Sequence, residues 1–155
     1  MSSEGLWASS LTPHGRWLAY MARRPGQWQV YVRPSPGPGA PVPVSVDGGK
    51  NPAWNPRGGE LVSSSAQTRD GTSLAMAADF FPGPPPRAGM PRRLFEFDAG
   101  TLQFRCEPVR CCDVAADGQR FCTVERKLTA FPAPVSHVNY VPNWFDELRA
   151  KVPPR

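Results

Sequence analysis

The stretch LTPHGRWLAYMA, residues 11–22, decides the fold: a Pro-x-Gly turn is followed by a run of bulky, strand-forming residues. Similar stretches occur at residues 53–65, AWNPRGGELVSSS, and at residues 113–125, DVAADGQRFCTVE. In each, a proline or alanine stands two positions before a glycine, and a leucine or phenylalanine three positions after it. Proline presets the φ angle of the first corner, and glycine accepts the positive φ that ends the turn. Each stretch is therefore predicted to form a strand, a tight turn and a second strand.

These hairpins recur at intervals that are typical of a repeat protein. The turn glycines are separated by 43 and then 60 residues. A period in the forties with several short strands per unit is typical of a propeller blade. The sequence therefore predicts an all-β fold, an incomplete β-propeller of about three blade-like antiparallel units, each a four-stranded meander. The residues predicted to form the turns are Pro13, Gly15, Pro56, Gly58, Asp117 and Gly118.

The predicted units belong to one partial propeller domain, residues 1–155, and cover about residues 5–48, 49–105 and 106–142. In the first unit the strands are predicted at LWASSL, RWLAYMA, WQVYVR and PVPVSV, the last an outer strand whose prolines suit a sheet edge. The second unit contains a Pro/Gly segment at residues 81–91, predicted as a surface insertion between strands. A proline-rich recognition ligand is the alternative interpretation of that segment.

The end of the chain, NWFDELRAKVPP, departs from the strand pattern. Trp144 and Leu148 lie four positions apart, Asn143 is a fair N-cap, and a proline follows the apolar positions. We expect a short helix over residues 143–151 that packs on the last sheet through Trp144, Phe145 and Leu148.

Composition restricts the class of protein. Twenty Pro and fourteen Gly among 155 residues exclude long helices over most of the chain. No apolar run approaches the roughly 20 residues of a membrane helix, and the first residues lack the features of a signal peptide. The formal net charge is +5, but the basic residues are dispersed, which favours a solvated surface over a nucleic-acid site. We therefore expect a soluble chain without nucleic-acid binding or membrane insertion.

Four cysteines, Cys106, Cys111, Cys112 and Cys122, lie close together in the sequence. Their spacing lacks the paired C-x2-C knuckles of a zinc site, so small residues filling a strand-rich core are the favoured interpretation. A disulfide and a metal site are the alternatives. If the third hairpin centres on Asp117, Cys112 and Cys122 face each other on neighbouring strands, and we expect them to be adjacent but unbonded, since direct cross-strand disulfides are strained.

Catalytic motifs are missing from the sequence. The serine run at residues 63–65 has no G-x-S-x-G elbow around it, and the phosphate loop, H-R-D and D-F-G motifs of a protein kinase do not occur. We predict no catalytic, cofactor-binding or metal-binding residues and no cofactor, and we expect the five tryptophans to serve core packing.

The three hairpins resemble the SPDG hairpins of TolB-type, WD-like β-propeller repeats. The acid of that motif is present only as Asp117, because His14 and Arg57 occupy its place in the other turns. Their side chains cannot accept backbone hydrogen bonds as Asp does, so we expect those two turns to be less rigid. The last portion, DVAADGQRFCTVE followed by VSHVNYVPNWFDELRAKVP, resembles the C-terminal blade of propellers fused to bacterial eukaryote-like serine/threonine protein kinases. The matching residues are Asn143, Trp144, Phe145, Glu147, Leu148 and Pro153.

The resemblance implies a non-catalytic interaction or sensory module in the C-terminal part of a larger protein, with a protein or peptide partner at the loop tips around the axis. A kinase parent would place the module outside the cytoplasm. A propeller segment associated with a hydrolase or peptidase, or a remnant without independent function, are the alternatives. Three blades would also leave two open faces, with Trp7, Trp17, Val138 and Tyr140 exposed, which predicts a homodimer or poor solubility.

Overall fold

The structure is a computed structural model that describes residues 7–24, 26–104 and 112–126, and these residues form strands, turns and loops without a helix. They fold into three antiparallel sheets. The predicted helix at residues 143–151, with Trp144, Phe145 and Leu148, lies outside the described residues. An all-β fold is therefore confirmed for the described part of the chain, while the helix stays a prediction.

The first sheet contains four strands in chain order, β1 (Trp7–Leu11), β2 (Trp17–Arg24), β3 (Gln27–Pro34) and β4 (Val42–Pro43). Strands β2 and β3 pair along their whole length without a register shift. Side chains of β2 alternate between the two faces, and those at residues 19–22 are all buried. This apolar run is a strand buried on both faces, as the sequence predicts.

The second sheet contains β5 (Lys50–Trp54), β6 (Glu60–Ser64), β7 (Thr72–Phe81), β8 (Arg87–Ala88) and β9 (Arg92–Asp98). Strand β7 is ten residues long, and it pairs with β9 over its first part and with β8 at its end. The Pro/Gly insertion at residues 81–91 therefore leaves the sheet at the end of β7, and its short strand β8 pairs back with β7. Its residues 81–85 are exposed.

The third sheet contains β10 (Leu102–Gln103), β11 (Cys112–Val114) and β12 (Phe121–Glu125), in the order β10, β12, β11. Strand β10 precedes residue 105 in the chain, but it pairs with the end of β12. A strand from the segment assigned to the second unit thus contributes to the third sheet. The sequence pattern around β10 does not indicate this exchange.

The three sheets are stacked face to face, with the second sheet in the middle. Leu61 of β6 packs with Trp54 in an apolar cluster against the first sheet, and the next residue, Val62, packs with Val114 against the third. Successive residues of a strand point to opposite faces, so one strand supplies both clusters. The second sheet is consequently buried on both faces.

The strands that lead into the three hairpin turns, β1, β5 and β11, lie side by side, because β5 contacts both β1 and β11. Strands β1 and β5 each contain a register shift, and each has a non-glycine residue with positive φ at that point, Ala8 (44°) and Asn51 (51°). The shifts are β-bulges that bend both strands in the same way. Ala8 and Asn51 are 43 residues apart, as are the first two turn glycines, so the structural repeat includes the bulge.

The predicted pairing of Cys112 with Cys122 is wrong. Cys122 faces Asp113, and Cys112 faces Thr123. The hairpin loop has an even number of residues, so its centre falls after Asp117 and not on it. Cys112 and Cys122 therefore point to opposite faces: Cys112 is buried in the core beside the third sheet, and Cys122 is exposed. The two are not bonded to each other, as expected, and Cys106 and Cys111 lie outside the described residues.

The predicted exposure of Trp17 on an open face is also wrong. Trp17 packs between the first and second sheets, where its ring meets the edge of Phe80 at a centroid distance of 4.9 Å. The opposite face of β2 carries Tyr20 and Ala22, and both are buried. The side chain of Trp7 and the residues Val138 and Tyr140 lie outside the description, so the homodimer stays a prediction.

Candidate binding site at the hairpin turns

The three hairpin turns have the same hydrogen-bond pattern. The turn glycine donates its N–H, at 2.8 Å in every case, to the carbonyl of the residue three positions earlier: Gly15 to Thr12, Gly58 to Asn55, and Gly118 to Ala115. The glycine φ angles are 68°, 83° and 66°, a region that L side chains rarely adopt. Pro13 and Pro56 precede two of these glycines at the first corner. The structure therefore places all six predicted turn residues in three equivalent turns.

The first two turns have side-chain acceptors although they lack the acid of the motif, and the expected lower rigidity of these turns stays a prediction. Asn55 Oδ1 accepts the N–H of Arg57 at 3.0 Å, as Asp117 Oδ1 accepts the N–H two residues after it. In the first turn Thr12 Oγ1 accepts the N–H of Trp17 at 3.1 Å. The first residue of each of these two turns thus supplies a side-chain acceptor for a backbone N–H. The two acceptors serve different positions, because Asn55 binds the N–H two residues later and Thr12 binds the N–H five residues later.

The second and third turns are in contact through Asn55. Its Nδ2 donates to Glu60 Oε2 at 2.9 Å and to the carbonyl of Gly118 at 3.4 Å. A Cβ atom on Gly118 would lie 2.6 Å from Asn55 Oδ1. Glycine is thus required at residue 118 both for its φ angle and for the close approach of Asn55.

The first and second turns are separated by a cavity of about 310 Å³, which we call the turn pocket. Its lining comes from both turns, from the aromatic residues behind them and from Pro82 at the start of the insertion. The pocket therefore lies between two sheets, at the ends where the hairpins turn. Such clefts between packed elements are a usual place for ligand sites.

Three aromatic rings form the apolar part of the turn pocket. The Phe80 ring lies between Trp17 and Trp54, at centroid distances of 4.9 and 5.5 Å, and both contacts are edge-to-face. Trp54 is held in place by its Nε1–H, which donates to the carbonyl of Ser10 at 3.1 Å. These contacts preorganise the rings, so a ligand would not have to order them.

Three basic side chains, His14, Arg16 and Arg57, also line the turn pocket, and its lining contains no acidic residue. All three are exposed. The charge of Arg57 acts on Asp117 of the third turn. The pKa of Asp117 is lowered by a hydrogen bond from the Gln119 N–H, by the Arg120 side chain and, to a smaller extent, by the charge of Arg57. The turn pocket is therefore electropositive.

Two further cavities adjoin the turn pocket. A groove of about 620 Å³, the proline groove, shares Trp17 and Pro82 with it and lies between the proline-rich segments 34–43 and 82–86. Gly39 in the first segment leaves no room for a side chain, because a Cβ would lie 2.5 Å from Cγ of Pro34.

The other neighbour, the axial cavity of about 440 Å³, lies at the ends of β1, β5 and β11 and includes Asp113. It shares Pro13, Trp54 and Pro56 with the turn pocket. The three cavities thus form one continuous track over the face of the molecule that carries the first two turns.

Groups with catalytic or metal-binding potential are not brought together in the described ranges. No cluster of three or more His, Cys, Asp or Glu side chains that could hold a metal occurs there. The serine run of residues 63–65 belongs to β6 and the loop after it, and Ser64 is fully buried and donates to the carbonyl of Lys50. None of these serines lines the turn pocket, which holds His14.

The sequence pattern predicts the turn prolines and glycines but not the residues that make the pocket. In the sequence, His14 and Arg57 stand out only as departures from the turn motif, and Trp17 only as a strand residue. Their shared position next to the turn glycines is a signal, since Arg57 and His14 both directly precede a turn glycine. The contributions of Phe80 and Pro82 come from a different part of the chain and have no such signal.

No protein-family model matches the chain, and no curated protein matches it significantly. Among solved structures, a candidate TolB protein from Agrobacterium tumefaciens matches with 21% sequence identity and a TM-score of 0.49. The match covers 63% of this chain and 36% of that protein, so the chain spans little more than a third of the length of its neighbour. Among the described residues, no helix has the length and hydropathy needed to cross a bilayer.

Proposed function

We propose that the chain is a non-catalytic interaction module, built of three blade-like units of an incomplete β-propeller, that binds a protein or peptide partner at the hairpin turns. Two features support the blade interpretation. Consecutive antiparallel sheets stack face to face, and the strands that lead into their hairpin turns, β1, β5 and β11, lie side by side. Propeller blades are arranged in this way around a central axis.

The observation that carries the proposal is the track of three joined cavities on the turn face. Its lining is aromatic and proline-rich, and it ends at the strands that would surround the propeller axis. Extended peptides bind in grooves of this kind, where rigid aromatic side chains provide contact area at a low cost in conformational entropy. A globular substrate would not fit the narrow cleft between the first two turns.

Selection of peptides from a random phage-displayed library on the immobilised chain tests this function. We expect enriched peptides that bind the purified protein and that lose binding in a Trp17→Ala variant, because Trp17 lines both the turn pocket and the proline groove. A Val124→Ala variant serves as a control for folding and general surface effects, since Val124 is 53% exposed and lies outside all three cavities. Failure to enrich any peptide on a protein with the expected β-sheet circular dichroism would contradict the proposal.

We further propose that the module is the C-terminal part of a larger protein such as a bacterial serine/threonine kinase, outside the cytoplasm. This rests on the resemblance of residues 143–153, which lie outside the described residues. The reading frame upstream of Met1 tests it. A kinase domain followed by a membrane span is expected there, and a hydrolase domain in the same frame would contradict the kinase context.

A further inference from the structure

We infer that the turn pocket is a receptor for the carboxylate of an acidic peptide, with the apolar side chain beside that carboxylate bound on the aromatic rings and in the proline groove. This inference deepens the proposed function by naming the chemistry of its partner. It rests on that function, and the experiment below separates the failure of one from the failure of the other.

The charge of the pocket is the first argument. His14 and Arg16 from the first turn and Arg57 from the second converge on a cavity whose lining holds no acidic side chain. A guanidinium group presents a planar fork of N–H donors that matches both oxygens of a carboxylate. Two such groups on one cavity raise the local positive potential, which favours an anionic ligand. The second turn's Arg57 acts only weakly on the neighbouring acid, Asp117, as the last of the causes that lower its pKa.

The aromatic rings supply the second argument. Trp17, Trp54 and Phe80 lie in the same cavity as the basic groups, and their edge-to-face contacts and the Trp54–Ser10 hydrogen bond hold them in fixed positions. A free inorganic anion would make no use of such rings. An apolar peptide residue next to an acidic one would cover the rings. The combination of basic side chains and aromatic rings therefore favours a ligand that is both anionic and apolar.

The third argument is the continuity with the proline groove. Trp17 and Pro82 line both cavities, so a chain that places its carboxylate at Arg57 can continue over Trp17 into the proline groove. The far walls are rich in proline, whose ring already fixes φ, so they lose little conformational entropy on binding. An extended acidic peptide with one large apolar residue therefore fits the combined shape better than a folded partner.

The probe is a fluorescein-labelled hexapeptide, blocked at both ends, with two glutamates beside a phenylalanine, and binding is measured by fluorescence anisotropy at low salt. We expect saturable binding that is at least about tenfold weaker for the matched peptide with glutamines, because a hydrogen bond to a carboxylate is stronger than one to a neutral amide; tenfold corresponds to about 1.4 kcal/mol. A third peptide with no glutamate but a free C-terminal carboxylate distinguishes the side-chain source of the anion from the chain end.

The protein variants locate the site. Arg57→Gln and Arg16→Gln are each expected to weaken binding of the glutamate peptide about tenfold or more, while Arg69→Gln is expected to leave it unchanged. Arg69 is an exposed arginine outside all three cavities, so it controls for loss of net charge. Binding should also weaken as salt is raised, since the charges are exposed.

Three outcomes overturn the inference. The first is equal binding of the glutamate and glutamine peptides, and the second is an equal loss in the Arg69 and Arg57 variants. The third is preferred binding of a single-stranded oligonucleotide of the same charge, which would assign the basic groups to phosphate. If the phage selection enriches peptides that are neutral or basic, the interaction function stands and the carboxylate inference fails.

Discussion

Replacement of Trp54 by alanine tests the central contact between the first two sheets. Trp54 is 5% exposed, its ring packs on Phe80, and its indole N–H donates across from β5 to the carbonyl of Ser10 in β1. Truncation to alanine leaves a cavity and removes the partner of a buried carbonyl. We expect the free energy of unfolding to fall by about 3–5 kcal/mol. A domain of ordinary stability has only about 5–15 kcal/mol to lose.

Urea denaturation followed by far-UV circular dichroism measures this change without relying on tryptophan fluorescence. Trp54→Phe keeps a ring against Phe80 but lacks the indole N–H. Its free energy of unfolding should therefore fall less than that of Trp54→Ala, and about 1 kcal/mol of the fall should come from the lost hydrogen bond. Leu11→Ala, at a 52% exposed position in β1, should change the free energy of unfolding by no more than about 0.5 kcal/mol.

A loss of less than about 1 kcal/mol for Trp54→Ala, at an unchanged denaturant slope, would refute the reasoning. It would mean that the sheets do not depend on this contact, and that the second sheet is stable without the first. A double-mutant cycle between Trp54 and Phe80 adds a separate readout. The edge-to-face pair, with centroids 5.5 Å apart, should give a coupling energy of about 0.5–1.5 kcal/mol.

Three further predictions concern the turns and the cysteines. Gly118→Ala should destabilise the chain more than Gly15→Ala by urea denaturation, because both have positive φ but only at Gly118 would a Cβ meet a neighbouring side chain, whereas nothing lies within 4 Å at Gly15; equal losses would contradict this close approach. NMR titration should give Asp117 a pKa below its ordinary value, since the turn N–H and a nearby arginine stabilise the carboxylate; the stabilisation is present above the ordinary pKa and lost as pH falls through the lowered one. Cys122 should react with a thiol reagent faster than Cys112 in peptide-resolved mass spectrometry, because Cys122 is exposed and Cys112 is 4% exposed, and the reverse order would show that the register of the third hairpin differs.

Local chemistry determined the hairpins. The spacing of proline, glycine and the following apolar residue sufficed to locate three turns, because turn geometry depends on a few adjacent φ angles. The alternating apolar residues of β2 and β3 likewise indicated strands, and the structure has them. The Pro/Gly insertion before β9 was also evident, since proline cannot donate to a central strand.

The register of the third hairpin could not be predicted from the sequence. Whether its loop has an odd or even number of residues changes the partner of Cys112 and reverses the face of Cys122, and no residue type at Asp117 distinguishes the two cases. The pairing of β10 with β12 is similarly non-local, because it depends on where the chain returns after β9 and not on the two residues of β10 themselves.

The candidate site was decided by tertiary structure. Trp17, Trp54 and Phe80 come from three strands in two sheets, and they meet only because the sheets stack face to face. A sequence pattern can place Trp17 on a strand and assign its face relative to its neighbours, but it cannot say which of the two faces meets the next sheet. Packing makes that choice, since the face that finds a complementary surface is the one that becomes buried. The basic groups of the two turns become one pocket for the same physical reason.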